Sequence, residues 1–220
     1  MLRSPLKPFR SLFSRSILMI AAITVAPIVG SAAILEATSS SFTGSALSVS
    51  IVIDDEADPG NLVITLEVET ADPTGDLRGF FAQVSDESLL AGLSVTGTEI
   101  TDSVFDANAV INLGGGNNLN GGGTPCPCDL GLEIGSAGIG SDDIQQVTFT
   151  LSHLTESLTA DLFNGEAFGV RATSVGSPTG SRNGSSKLSG VVPEPSTALL
   201  MGLGLAGLAS RTHGEKKKNA

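Results

Sequence analysis

Side chains that move protons, hold metals or attack carbon are scarce in this 220-residue chain. Its only histidines are His153 and His213, its only cysteines are Cys126 and Cys128, and it has neither Trp nor Tyr. His153 lies in FTLSHLTES, on the face opposite Phe149 and Leu151 of an alternating segment, so it is expected to point outward as a solvated strand histidine. No G-x-S-x-G elbow precedes it, and His213 falls in a basic tail, which argues against a Ser-His-Asp arrangement. Hydrolytic zinc needs about three protein ligands, mostly His, and an open position; the chain lacks such a set. We expect no enzyme activity.

Two constellations retain binding chemistry. Cys126-Pro-Cys128 reads as a constrained loop, either a disulfide across one intervening residue or two free thiols; metal or redox use is the alternative. Asp54, Asp55 and Asp58, followed by Gly60 and Asn61, and the pair Asp142 and Asp143 are candidate calcium ligands. Calcium takes about six to eight oxygens, and the spacing departs from the EF-hand loop, so a solvated acidic turn is the competing reading. Calcium is the one cofactor considered. Two carboxylates could also serve a secreted hydrolase, although a sugar cleft without Trp or Tyr lacks the usual stacking surfaces.

The elements that must position these residues are β-strands. ALSVSIVID places Leu47, Val49, Ile51 and Ile53 on one face; NLVITLEVE does the same for Leu62, Ile64, Leu66 and Val68, with Thr65, Glu67 and Glu69 opposite. DDEADPGN between them predicts a hairpin turn. RGFFAQV, VTFTLSHL and AFGVRATSV predict further strands, while DESLLAG and LTADLFNG suggest a helical turn or two. Residues 113–140, dense in glycine, predict a long surface loop with one short strand at Leu130–Ile134. The expected fold is all-β, an antiparallel, jelly-roll-like β-sandwich over residues 34–175, followed at 176–191 by a Gly/Ser-rich stem or edge strand.

Charge separates this body from its ends. All but one of the 23 acidic residues lie between Glu36 and Glu194, against only Arg78, Arg171, Arg182 and Lys187 among the cations. Such a surface repels phosphates and disfavours nucleic acid as a partner. Residues 1–33 combine Arg3, Lys7, Arg10 and Arg15 with the apolar run ILMIAAITVAPIVG and a small-residue exit, the pattern of a signal peptide delivered to the Sec translocon. The protein is expected to be exported.

The other end, residues 192–218, reads VPEPSTALLMGLGLAGLASRTHGEKKK. Pro193 and Pro195 around Glu194 favour extended backbone and donate no amide hydrogen bond. Residues 196–210 would form a helix of roughly 22 Å, short against a hydrocarbon core of about 30 Å. Ala198, Gly202, Ala206 and Ser210 recur on one face; they either admit a partner helix or belong to a weakly hydrophobic span. Arg211, Lys216, Lys217 and Lys218 would halt transfer.

This C-terminal segment closely resembles the PEP-CTERM sorting signal of Gram-negative bacteria. The resemblance implies recognition and processing by exosortase, a membrane enzyme, with delivery through the inner membrane to the cell surface or extracellular matrix. It also implies association with exopolysaccharide and biofilm. The basic tail is interrupted by His213, Gly214 and Glu215 where many members run directly into arginines. A calcium- or glycan-binding adhesion module and a plain single-span membrane protein are the rivals.

Overall fold

Alternating burial runs through most of the chain from Ile34 to Val191. The computed structural model describes residues 34–194 except Thr70 and Thr124. The chain divides after Ser31, and the second unit, Ala32–Ala220, contains every described residue. The signal segment expected at 1–33, the helix expected at 196–210 and the basic tail lie outside the described residues. Among the described residues no helix is long and apolar enough to cross a membrane.

The strands are β1 (Ile34–Gly44), β2 (Ser48–Asp54), β3 (Leu62–Val68), β4 (Thr74–Ala82), β5 (Leu93–Thr96) and β6 (Ile100–Phe105). After them come β7 (Asn112–Gly114), β8 (Asn117–Asn118), β9 (Leu130–Ile134), β10 (Gln146–His153), β11 (Ala167–Gly176) and β12 (Gly184–Val191). Two short 3-10 turns, Glu87–Gly92 and Ala160–Phe163, stand where the sequence suggested helical turns. The β2–β3 hairpin forms as expected, with Ile51 opposite Leu66 and Ile53 opposite Ile64, all buried.

The all-β, antiparallel expectation holds, but the strands form one continuous sheet rather than two separate ones. Ten strands are hydrogen-bonded in the order β5-β10-β3-β2-β1-β12-β11-β4-β9-β6, and β7 and β8 form a small hairpin apart. Twist accumulates across so wide a sheet and rolls it on itself. Phe149 of β10 thereby meets Phe80 of β4, with ring centroids 5.9 Å apart, and Phe80 also meets Phe168 of β11 at 6.3 Å. The outermost strands β5 and β6 are consecutive in the chain, joined by a turn in which Ile100 N–H donates to Gly97 O at 3.2 Å. The sheet is nearly closed like a barrel.

What joins the two halves is the β1–β12 pair, Ser40 opposite Ser189 and Ser41 opposite Leu188, with an irregularity between Ser41 and Thr43. This seam is lined by hydroxyls. Ser39 is fully buried and donates to Val49 O at 2.9 Å, and the Ser41 and Ser186 hydroxyls are 2.6 Å apart. Polar groups so satisfied can be buried without large cost. Residues 176–191 therefore end not as a stem or an edge but as an interior strand, β12, between β1 and β11.

The glycine-rich stretch is also less superficial than expected. Leu119, Cys126 and Cys128 bury against Phe81 and Val110 as a second small core. Gly169 makes the approach feasible, because a Cβ there would collide with the Leu119 side chain. With this layer outside and the main core inside, all nine residues of β4 are buried.

Candidate functional site

The side chains of the body singled out for their chemistry make the following contacts within the fold. His153, at the end of β10, accepts N–H groups from Thr155 (3.2 Å) and Glu156 (3.0 Å) on Nδ1, capping the turn that follows. Its other ring edge packs on Gly92, where any side chain would clash. Cys126 and Cys128 are joined by a disulfide inside the second core, one of the pairings left open by the sequence.

The acidic residues follow the same pattern. Asp54 Oδ1 accepts N–H groups from Glu56 (2.7 Å) and Ala57 (3.0 Å), and Asp58 Oδ2 accepts from Asn61 Nδ2 at 3.0 Å. Asp55 Oδ2 accepts from Ala160 N at 2.9 Å, tying the β2–β3 turn to the second 3-10 turn. Asp142 Oδ2 accepts from Ser136 N at 2.7 Å. Asp143 forms a two-pronged ion pair with Arg182 at 2.5 and 2.7 Å, and this partner holds its carboxyl below the usual range. Among the described residues no three His, Cys, Asp or Glu side chains stand together as a metal-holding group. The carboxylates considered as calcium ligands make these turn-capping and ion-pair contacts.

Two carboxylates are deeply buried, and both hold loops. Asp129 accepts from Val84 N at 2.8 Å and from Asn108 N at 2.7 Å. Asp76 accepts from Ile144 N at 3.0 Å and from the Thr173 hydroxyl at 3.3 Å; burial pushes its pKa up. They are in different parts of the sheet and are not a facing acid pair.

The C-terminal approach has a different character. β12 carries the chain to Val191, and Val192 is then buried at 1% exposure. Its N–H donates to Glu166 O at 2.9 Å and its carbonyl accepts from Gly165 N at 3.0 Å, a clamp on both sides of one residue. Gly165, at φ +75°, supplies the left-handed turn that presents these groups. Burying the Val192 side chain contributes about 1.5–3 kcal/mol. Immediately beyond, Pro193 and Glu194 are exposed, and the Glu194 carboxylate lies over Gly165. Pro193 and Val191 border an open groove along the outer faces of β1 and β2 with Glu36, Thr38, Val52 and Glu69. Pro195 and the residues of the small-residue face and basic tail lie outside the described residues.

A buried, doubly clamped residue followed at once by an exposed Pro-Glu is the observation that meets the family comparison. The model of the PEP-CTERM protein-sorting motif matches residues 191–213. The chain carries a PEP-CTERM sorting motif. No curated protein and no solved structure matches the chain. The PEP-CTERM motif supports an exported protein sorted by exosortase, and it implies processing at a membrane.

The PEP-CTERM match begins at Val191, the last residue of β12. Motif and folded body therefore share a boundary with no spacer between them. Sequence reasoning found Pro193, Glu194 and Pro195 but missed the clamp on Val192 by Gly165 and Glu166. The signal was weak: VV preceding the first proline, and an N-G pair at 164–165 that announces a turn without saying what it holds.

Proposed function

We propose that the protein is exported to the cell surface or extracellular matrix after exosortase processes its Pro193-Glu194-Pro195 segment, and that its body is non-catalytic and associates with exopolysaccharide. The observation that carries the sorting part is the motif placed directly after a folded strand, with Val192 anchored and Pro193 and Glu194 exposed. Extended, exposed backbone is what a peptidase needs at a cleavage region, and the two prolines favour it. The non-catalytic reading is supported by the structural roles of His153, Asp76 and Asp129. Association with exopolysaccharide rests on the family resemblance of residues 192–218.

The test is intact mass and C-terminal sequencing of the protein recovered from its own cells. Loss of everything beyond the Pro-Glu-Pro region is expected. A mature product that retains Lys216, Lys217 and Lys218 would mean simple anchoring and would overturn the proposal. Substituting Gly202 and Ala206 with Leu should block processing if the small-residue face docks on the enzyme; normal processing would remove that face from the account.

A further inference from the structure

The sorting motif and the folded body are too close for an enzyme to engage one without meeting the other. Val192 is buried and held by backbone bonds to Gly165 and Glu166, so the chain is fixed to the body up to Pro193. From Val192 to Pro195 the chain reaches at most about 11 Å even when fully extended. An enzyme that engages Pro193-Glu194-Pro195 therefore rests against the surface around the exit of β12.

That surface carries the open groove along β1 and β2, with a volume of about 590 Å³, within the range of ligand-sized pockets. Val191 and Pro193 border it. The first proline of the motif thus belongs to the groove as well, and the two surfaces are continuous. Pairing explains the low floor. Thr38 stands opposite Ser50 in the β1–β2 ladder, and both point outward because their strand neighbours Ser39, Val49 and Ile51 are buried.

Two carboxylates and one apolar side chain give the groove its chemistry. Val191 is 58% exposed, a large apolar side chain without cover. Glu36 lies two residues before Thr38 on the same face of β1 and is exposed. Glu69 is held in place, accepting from the Thr38 hydroxyl at 3.1 Å and from the Ser48 hydroxyl at 2.5 Å. No residue bordering the groove is a cation, and among the described residues no Lys or Arg pairs with Glu36 or Glu69. Any surface brought against the groove must answer these carboxylates. An apolar face would strip their water without return and an acidic face would repel them, whereas Lys or Arg forms a charge-assisted pair.

We propose that this groove is a second docking site, outside the motif, for the membrane enzyme that processes the tail, and that the enzyme meets it with Lys or Arg beside an apolar side chain. The carboxylates of Glu36 and Glu69 take the cation, and Val191 takes the apolar contact. The inference rests on the sorting proposal and adds the folded body to what the enzyme recognises.

The experiment is pulse labelling of the full chain in its own cells, with loss of the tail followed over time by mass. Glu36→Lys with Glu69→Lys should slow processing about tenfold or more, the scale on which interface charges change association rates, and leave the mass of the final product otherwise unaltered. Glu99→Lys with Asp102→Lys makes the same charge change beside and on β6, far from β1 in the strand order, and should stay within about twofold of wild type. Thr38→Trp fills the groove without changing charge; it should slow processing too, and it decides the matter if the double variant fails to fold by circular dichroism. A wild type that keeps its tail overturns the sorting proposal and this inference together. A processed wild type with folded groove variants at the same rate, or with the Glu99 and Asp102 pair slowed equally, overturns the groove alone. So does a wild type that sediments as a dimer and becomes monomeric in the groove variants, because a second copy would then be the occupant.

Discussion

Replacing Phe149 with Ala removes a ring that is 2% exposed and packed 5.9 Å, centroid to centroid, from Phe80. Emptying such a site costs about 3–5 kcal/mol, out of a total stability of roughly 5–15 kcal/mol for an ordinary domain. For a body of this size each kcal/mol moves the midpoint by about 2–4 °C. The thermal midpoint should therefore fall by roughly 6–20 °C. With no Trp or Tyr to report by fluorescence, far-UV circular dichroism is the appropriate readout. The more discriminating measurement is a double-mutant cycle with Phe80→Ala. Phe149 and Phe80 belong to strands near opposite ends of the strand order, so they touch only because the sheet rolls up. Their coupling should be about 0.5–1.5 kcal/mol. Additivity to within about 0.3 kcal/mol would mean that the rings are apart, and the near-closed sheet would be refuted.

Three further outcomes are expected. Val192→Asp should cost at least about 2 kcal/mol in urea titrations, because it forces a carboxylate into a clamped apolar site, while Val192→Ile should cost less than about 1.5 kcal/mol; equal effects would deny that the site is buried. The pH dependence has two opposing parts: Asp143, held low by Arg182, contributes stability that is lost as pH falls through its folded pKa, below the ordinary 3.8. Asp76, raised by burial, works in reverse, so stability falls as pH rises from 3.8 through its folded pKa. Asp143→Asn should flatten the acid limb of the urea midpoint, and an unchanged limb would show that the ion pair contributes nothing there. Finally, millimolar calcium or a chelator should leave the thermal midpoint within about 1 °C, since a ligand stabilises only what it binds; a calcium-dependent rise of several degrees would assign the Asp54, Asp55 and Asp58 turn as a metal site.

The strands most legible in the sequence are those whose inner face is wholly apolar. Val49, Ile51 and Ile53 of β2 and Leu62, Ile64 and Leu66 of β3 announced both strands and the turn between them. β1 and β12 gave no such signal, because ILEATSSSFTG and GSSKLSGV turn serines inward at the seam. A buried serine that finds a carbonyl looks, in sequence, the same as a solvated one. The single curled sheet was missed for that reason, since these two strands are what join its halves. The second core was hidden likewise: Leu119, Cys126 and Cys128 are three apolar residues dispersed among glycines and asparagines. At the C-terminus the chemistry of Pro193 and Glu194 was plain, whereas the clamp on Val192 depends on a turn that is distant from it in sequence.

The interior place of β12 also bears on timing. The strand that completes the sheet is nearly the last part of the body to be synthesised, and it must slot between β1, made first, and β11. A chain that stops before Gly184 lacks both this keystone and the sorting motif behind it. Only a polypeptide that contains its final strand can display the sorting motif, and loss of everything after Val192 would leave every strand in place. The address on this protein thus doubles as a certificate that the parcel is whole.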